Sequence, residues 1–503
     1  MKLVLCRFHR QFFLYKQLIF LHFYDIIFEI NKNTIHKRGE KIMQKLETQK
    51  SGSESDILEN LKMHIKIEQY IPREFYRAYY KDTGRPRGCK LESLMWYLIL
   101  QSTIGIVNDN IFLLLMRMWR ELREFCGFKS VPDAGKITAF KQNFVEYIVM
   151  VFENFVEATE PICQAIDPKK SGYMIYDLTG IEAYVKENNP KFLNSKLNNA
   201  KKLAAKNPEI NPHSLAYSQM PETAQANPFV KQQYINGYFC YAHKAGILAN
   251  GLGIIRGIYF FDEIFKAKHP EIVSQKTDNP DLDKEIGDST SLQPVLSDFF
   301  AAHPTFSYHT FLGDASFDKY GNYSILKNDF HFTRICIPLN PRNSSSAHTD
   351  FDANGVPLCP KDNTSFSFVG VCRGKNRSTR FKYVCHKSVP VAKTNSCLCD
   401  NPCTDKPYGR CVYTYPDKDL RLYPGIPRGT DHWDNLYRHR VLVERSICLL
   451  KYPLGGSGRK SLSVRTAKTD LFIAGISHLI GVILAYRTNR NELFKSVRQF
   501  FSA

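Results

Sequence analysis

Between residues 173 and 337 the chain alternates short apolar runs with helical periodicity, and two of those runs end on an aspartate. Tyr173-Met174-Ile175-Tyr176 stops at Asp177, and Tyr308–Gly313 stops at Asp314. Two further strands, Tyr238–Leu248 and Gly253–Phe261, flank Asn250-Gly251, a hairpin signal. A helix at 291–302, a helix at 317–329 and a strand at Arg334–Ile337 complete the series. The order strand, hairpin, helix, strand, helix, strand restricts the fold to an α/β sheet with helical connections. Acids at the ends of neighbouring strands then meet at one edge of that sheet. Grouped carboxylates are hard oxygen donors that suit Mg²⁺ or Mn²⁺.

A third acid is indicated by spacing. The segment YRHRVLVERSICLLK carries Tyr437, Arg440, Glu444 and Lys451 at intervals of 3, 4 and 7 residues. On a helix running from about Trp433 to residue 451 these four fall within an arc of roughly 60°. Such a face presents a phenol, a guanidinium, a carboxylate and an ammonium together. The competing reading is a solvated stripe opposite the apolar Val441, Val443, Ile447 and Leu450. Two metal ions held by three acids activate a water or hydroxyl at a phosphodiester, and nearby cations hold its phosphates.

Tyr437-x2-Arg440-x3-Glu444-x6-Lys451 resembles the signature around the third acid in a group of bacterial insertion-sequence DDE transposases. Asp177-Leu178-Thr179 resembles that group's first-acid motif, and Gly313-Asp314-Ala315-Ser316-Phe317 its second. The gaps between the three acids suit the subgroup with a β-rich insertion before the glutamate. The resemblance covers about residues 85–490. It implies a ribonuclease-H-like catalytic core in which Asp177, Asp314 and Glu444 are catalytic and hold Mg²⁺ or Mn²⁺. It implies phosphate contacts from Tyr437, Arg440 and Lys451. The implied reaction is hydrolysis at transposon ends, then attack of the freed 3′-OH on target DNA. The implied partners are double-stranded DNA, as terminal inverted repeats and target, and a second copy of the chain. The implied setting is the bacterial cytoplasm, at the nucleoid. Two other readings share these residues: a related metal-dependent nuclease, and an inactive DNA-binding derivative of a transposase.

Charge agrees with a polyanionic partner. The 503 residues carry a net +19, with 43% hydrophobic and 13% aromatic residues, enough for real cores. From 430 to 503 there are twelve Lys and Arg against five acids, and Arg459, Lys460, Arg465 and Lys468 follow the signature closely. They are candidates for a phosphate track, against the plain alternative of a solvated helix face. Trp433 is read as a core residue rather than a base-stacking one, and histidines such as His439 and His478 as structural.

The remaining divisions follow composition. Residues 1–42 are apolar, aromatic and interrupted by charge, and lack a clean cleavage pattern for a signal peptide. We read them as a non-native extension ahead of Met43, with a membrane-surface helix as the alternative. The extension is net +5, so the remainder still nets +14. No stretch of about 18 uncharged apolar residues is present. Residues 43–165 read as a helical, DNA-binding domain, 166–340 as the first part of the catalytic core, and 431–503 as its completion with basic helices. Residues 341–430 read as a Cys-rich β insertion. Seven of the fourteen cysteines fall there: Cys359, Cys372, Cys385, Cys397, Cys399, Cys403 and Cys411. The spacings match paired zinc knuckles loosely. Cys385, Cys397, Cys403 and Cys411 are the candidate structural Zn²⁺ set, with reduced thiols the competing reading.

Overall fold

The computed structural model describes residues 54–81, 83–207, 209–235, 238–272, 287–341, 350–391 and 394–494. The extension proposed at 1–42 lies outside them. The chain divides into two compact units, residues 1–62 with 503, and residues 63–502. The sheet and the candidate site belong to the second unit.

The N-terminal part is helical. Helix α1 is Glu54–His64, α2 Arg73–Tyr79, α3 Leu91–Ile104, α4 Asp109–Met118, α5 Arg120–Cys126, α6 Ala134–Asn143 and α7 Val145–Ile166. The apolar run 91–128 breaks into three helices for local reasons. Gly105 adopts a left-handed conformation (φ 78°) and its N–H and that of Ile106 both return to the Gln101 carbonyl, closing α3. Asn108 then caps α4, its side chain accepting from the N–H groups of Asn110 and Ile111.

The sheet has seven strands: β1 Tyr173–Glu182, β2 Thr223–Ala224, β3 Asn227–Ile235, β4 Tyr238–Asn250, β5 Ile255–Phe260, β6 Thr310–Leu312 and β7 Arg334–Cys336. β1 is central, antiparallel to β4 and parallel to β6, which is parallel to β7. The far edge of β4 is shared by β3 at its start and β5 at its end. The core order is therefore β5-β4-β1-β6-β7, an antiparallel meander followed by two parallel strands. The β4–β5 connection is longer than a two-residue turn. Asn250 Oδ1 accepts from the N–H groups of Leu252 and Ile254, and Gly253 takes φ 78°. The polar stretch expected to be loop and helix also holds a strand, β3, lying between the two-residue β2 and β4, besides α8 Pro190–Ala204 and α9 Pro212–Ser218. Helix α10, Leu292–Ala302, follows the expected segment, and the helix expected at 317–329 forms over Tyr320–Asp329, an α-helical turn at Tyr320–Ser324 widening into a π-helical one at Ile325–Asp329.

The insertion forms a three-stranded sheet of β8 Ser367–Gly374, β9 Arg377–Val384 and β12 Cys411–Thr414, with a hairpin of β10 Ser388–Val391 and β11 Thr394–Cys397. It has its own small core of Val356, Cys359, Phe366, Phe381, Tyr383, Leu422 and Tyr423. Buried Asp318 ties it to the main sheet, accepting from Arg421 Nε at 3.1 Å, Arg421 Nη2 at 2.8 Å and the Tyr323 hydroxyl at 2.8 Å.

The chain returns through α11 Asp431–Tyr437, α12 Val441–Lys451 and α13 Val464–Arg487. Helix α13 is long and apolar enough to cross a membrane, but its apolar residues are buried against α3, α6, α7 and β5. That is how a helix apolar all round behaves at the centre of a fold. Gly475 permits the approach: a Cβ there would stand 2.7 Å from Ile258 and 2.8 Å from Phe152.

One buried square of charge joins the N-terminal helices to α13. Lys141 Nζ lies 3.0 Å from Asp109 Oδ1 and 3.2 Å from Asp470 Oδ1. Arg459 lies 3.3 Å from Asp109 and 3.2 Å from Asp470. Two cations and two anions balance, and Gln101 donates to Asp109 at 2.7 Å. Asp470→Ala leaves two buried cations short of a partner, which costs about 3–5 kcal/mol. Replacing the pair with Lys141→Met and Asp470→Leu together recovers part of that loss. Urea unfolding measures both, and a loss below about 1 kcal/mol for Asp470→Ala contradicts the square's role.

Candidate active site

Parallel pairing aligns Ile175 of β1 with Leu312 of β6, so Asp177 and Asp314 each lie two residues beyond paired positions. Asp314 follows the end of β6, whereas Asp177 lies within β1, which runs on to Glu182 along β4 instead of stopping at the acid; both stand just past the point where the β1–β6 pairing ends. Asp177 Oδ1 accepts from the N–H of Leu178 at 3.0 Å. Asp314 caps the short turn Ala315–Phe317, its Oδ1 accepting from the Ser316 N–H at 2.9 Å and from the Ser316 hydroxyl. Glu444 sits in the first turn of α12. That helix packs across β1 and β4, where the Ser446 hydroxyl donates to the Gly253 carbonyl at 2.8 Å.

Arg440 brings the three acids together. Its Nη2 is 3.0 Å from Asp177 Oδ2 and 3.7 Å from Asp314 Oδ2, and its Nη1 donates to Glu444 Oε1. The Asp177 side chain is 18% exposed and that of Arg440 12%, whereas Asp314 and Glu444 open to solvent at 39% and 53%. Burial pushes the Asp177 carboxyl up to about 6. The Arg440 charge pulls it down, and the neighbouring charges of Asp314 and Asp288 raise it again. Asp288 itself pairs with Lys244 at 2.6 Å, a partnership that nothing in the sequence indicates.

The signature does not lie on one continuous helix. Tyr437 ends α11, Arg438–Arg440 form a tighter 3-10 turn, and Glu444 and Lys451 belong to α12. The His439 ring lies 3.2 Å from the carbonyls of Asn435 and Leu436, offering those groups a side-chain partner in place of the helix ladder. The backbone keeps right-handed helical angles through the turn, so the four side chains still share a side. Tyr437 stacks on Trp433 with ring centroids 6.0 Å apart. Trp433 is buried, in keeping with the core reading, and the Arg428 guanidinium lies over it. Lys451 is also buried and donates to Thr179 Oγ1 at 3.3 Å, two residues along β1 from Asp177. Burial lowers the pKa of its ammonium. His478 is fully buried, and burial pushes its pKa down to about 4.

The expected phosphate track is not continuous. Arg459 belongs to the buried square with Asp109 and Asp470 and faces inward. Arg465 forks onto Glu146, and Lys468 reaches Asp262 at 2.7 Å. Lys460 is exposed. The sequence displays the cations but not the distant acids that neutralise them.

The cysteines also group differently from the expected set. Cys385 and Cys397 stand side by side, and Cys403 faces Cys359 and Cys385. Cys411 instead adjoins the Tyr413 hydroxyl. Cys359, outside the expected set, thus stands with Cys385 and Cys403. Among the described residues, no group of three or more His, Cys, Asp or Glu side chains is arranged to hold a metal ion.

The raised Asp177 carboxyl has a consequence for stability. The unfolded chain releases this proton near pH 4, while the folded protein keeps it to about 6. The folded state binds more protons in that window, so it loses stability as pH rises through it. Asp177→Asn lacks this titration. Its stability relative to wild type therefore rises by about 1–3 kcal/mol between about pH 4 and about pH 8. Chemical denaturation at the two pH values measures this, and a flat or opposite difference contradicts it.

Comparison with known proteins adds one family. The family described as "Transposase domain (DUF772)" matches residues 46–143, a span that takes in α1 through α6. No curated protein matches the chain. Among solved structures, a cryo-EM synaptic complex of piggyBac transposase with hairpin DNA is similar over 88% of this chain and 79% of that chain. Identity there is 10% and the TM-score 0.38, too slight a likeness to transfer fold or chemistry. The domain match supports a transposase.

Proposed function

We propose that this chain is a DNA transposase of the DDE type. In this reading it cuts transposon ends and joins the freed 3′-OH to target DNA. The observation that carries the reading is the convergence of Asp177, Asp314 and Glu444, from three separate elements, on one guanidinium. The matched transposase domain in the same chain supports it. The strand order β5-β4-β1-β6-β7, with only β4 antiparallel to the central strand, supports a ribonuclease-H-like core.

The donor set fits a divalent ion in chemistry, since all three groups are carboxylates with oxygens reaching one small cationic group. Asp177, Asp314 and Glu444 would hold Mg²⁺ or Mn²⁺, which when bound acidifies water or a 3′-hydroxyl and stabilises the phosphodiester's leaving oxygen. The chain's own groups do the rest. Asp177 is fixed by its strand and the Leu178 N–H, and Asp314 by Ser316, so both hold their directions before DNA arrives. Glu444 is the open partner on the DNA side. Arg440 and Tyr437 stand where a phosphate flanking the scissile bond would lie, and Lys451 sets the charge behind them. Exposed Lys460 adds affinity without sequence readout. DNA at both element ends requires two copies of the chain, and a homodimer on double-stranded DNA is part of this proposal.

The test uses the full chain and duplex DNA from the flanks of the encoding gene, with Mg²⁺ or Mn²⁺. Wild type cleaves at the element ends and joins them to a second duplex. Glu444→Gln, Asp177→Asn and Asp314→Asn each lose cleavage by about a thousandfold or more, while retaining DNA binding in a mobility-shift assay. Cleavage that survives all three substitutions contradicts the reading. Cleavage without joining points instead to a nuclease.

A further inference from the structure

Buried Arg428 and half-buried Arg440 are held in different ways. Arg428 has a complete seat: Nε donates to the Ile337 carbonyl at 2.9 Å, Nη1 to the carbonyls of Arg421 and Leu422, and Nη2 to the Tyr323 hydroxyl at 2.8 Å. Every bond is to a neutral group of the surrounding scaffold. Arg440 is held differently. Among the described residues its partners are the three acids, its Nε is buried with no hydrogen-bond partner, and no scaffold carbonyl holds it. Its Nη2 stands between the Asp177 and Asp314 carboxylates, the position that a cation shared by those two groups would take. This explains why the triad is not itself arranged as a metal shell. The carboxylates are already spread around a guanidinium.

We infer that Arg440 is a displaceable counter-ion, which guards the triad against divalent metal until a DNA phosphate draws it away. This role rests on the proposed function. Three features of the chain support the exchange. The triad opens to solvent on the side of Asp314 and Glu444, so the guanidinium has a path outward. Arg440 closes the 3-10 turn between α11 and α12, where a side-chain swing disturbs neither helix body. A phosphodiester matches the guanidinium fork as well as a carboxylate does. The acids then lose their internal cation and gain affinity for an external one. By linkage the coupling is reciprocal: DNA tightens metal binding by the factor by which metal tightens DNA binding.

Mn²⁺ binding to the full chain, followed by electron paramagnetic resonance of the free ion, tests this without relying on turnover. The probes are Mn²⁺ alone and Mn²⁺ with duplex DNA from the flank of the encoding gene. For wild type, DNA tightens Mn²⁺ binding by about tenfold or more. Arg440→Gln binds Mn²⁺ about tenfold or more tightly than wild type without DNA, and DNA adds little. Arg440→Lys keeps the charge but cannot fork across the three acids, so it falls between the two and carries the test if the glutamine variant does not fold. Glu444→Gln weakens binding in every background. If Arg440→Gln and wild type bind alike, while Glu444→Gln weakens both, the triad holds metal but the counter-ion inference is overturned. If no form binds Mn²⁺ with or without DNA, the metal-site reading falls and this inference with it.

Discussion

Three carboxylates cannot crowd one end of a sheet without a cation among them. Their mutual repulsion and the loss of hydration both oppose burial, and the site answers with one guanidinium. Arg440 touches all three acids, yet Asp177 still carries a raised pKa. Burial is the main cause of that rise; the excess of negative charge follows from the count, three carboxylates facing one guanidinium. In the proposed reading, that excess attracts the divalent ion and the guanidinium controls when it enters.

The rest of the fold fixes the elements that carry these four side chains. β1 sits at the centre of the sheet and β6 runs parallel to it, which sets Asp177 beside Asp314. Helix α12 crosses β1 and β4 and brings Glu444 and Lys451 to the same place. Helix α13 occupies the middle of the helical layer, and the square of Lys141, Asp109, Arg459 and Asp470 locks it to the N-terminal helices. That square joins part of the matched transposase domain to the C-terminal end of the fold.

Much of this was legible in the sequence because the informative signals are local. Apolar runs that lead into an acid, the β4–β5 hairpin and the spacing from Tyr437 to Lys451 each occupy a few consecutive residues, although β1 runs past Asp177 to Glu182 because β4 pairs with it from Met174 to Glu182. What was not legible depends on distant partners. β3 is polar along much of Asn227–Ile235 and so reads as loop; its pairing with β4 and the short β2 makes it a strand. Arg459 looks like a DNA contact until Asp109 and Asp470 come beside it from far along the chain. Cys359 joins Cys403 only through folding of the insertion, which spacing alone does not reveal. The role of Arg440 as partner to all three acids needed the sheet register as well as the helix face.

If Asp177, Asp314 and Glu444 form one metal-holding site for cutting and joining DNA, the ion itself can be located. Anomalous scattering from Mn²⁺ in crystals of the full chain bound to duplex DNA does this without relying on turnover. Mn²⁺ density is expected against the Asp177 and Asp314 carboxylates, with the Arg440 guanidinium turned onto a phosphate. Mn²⁺ density elsewhere on the chain, with Arg440 still seated among the three acids in a complex that cleaves DNA, would contradict the assignment.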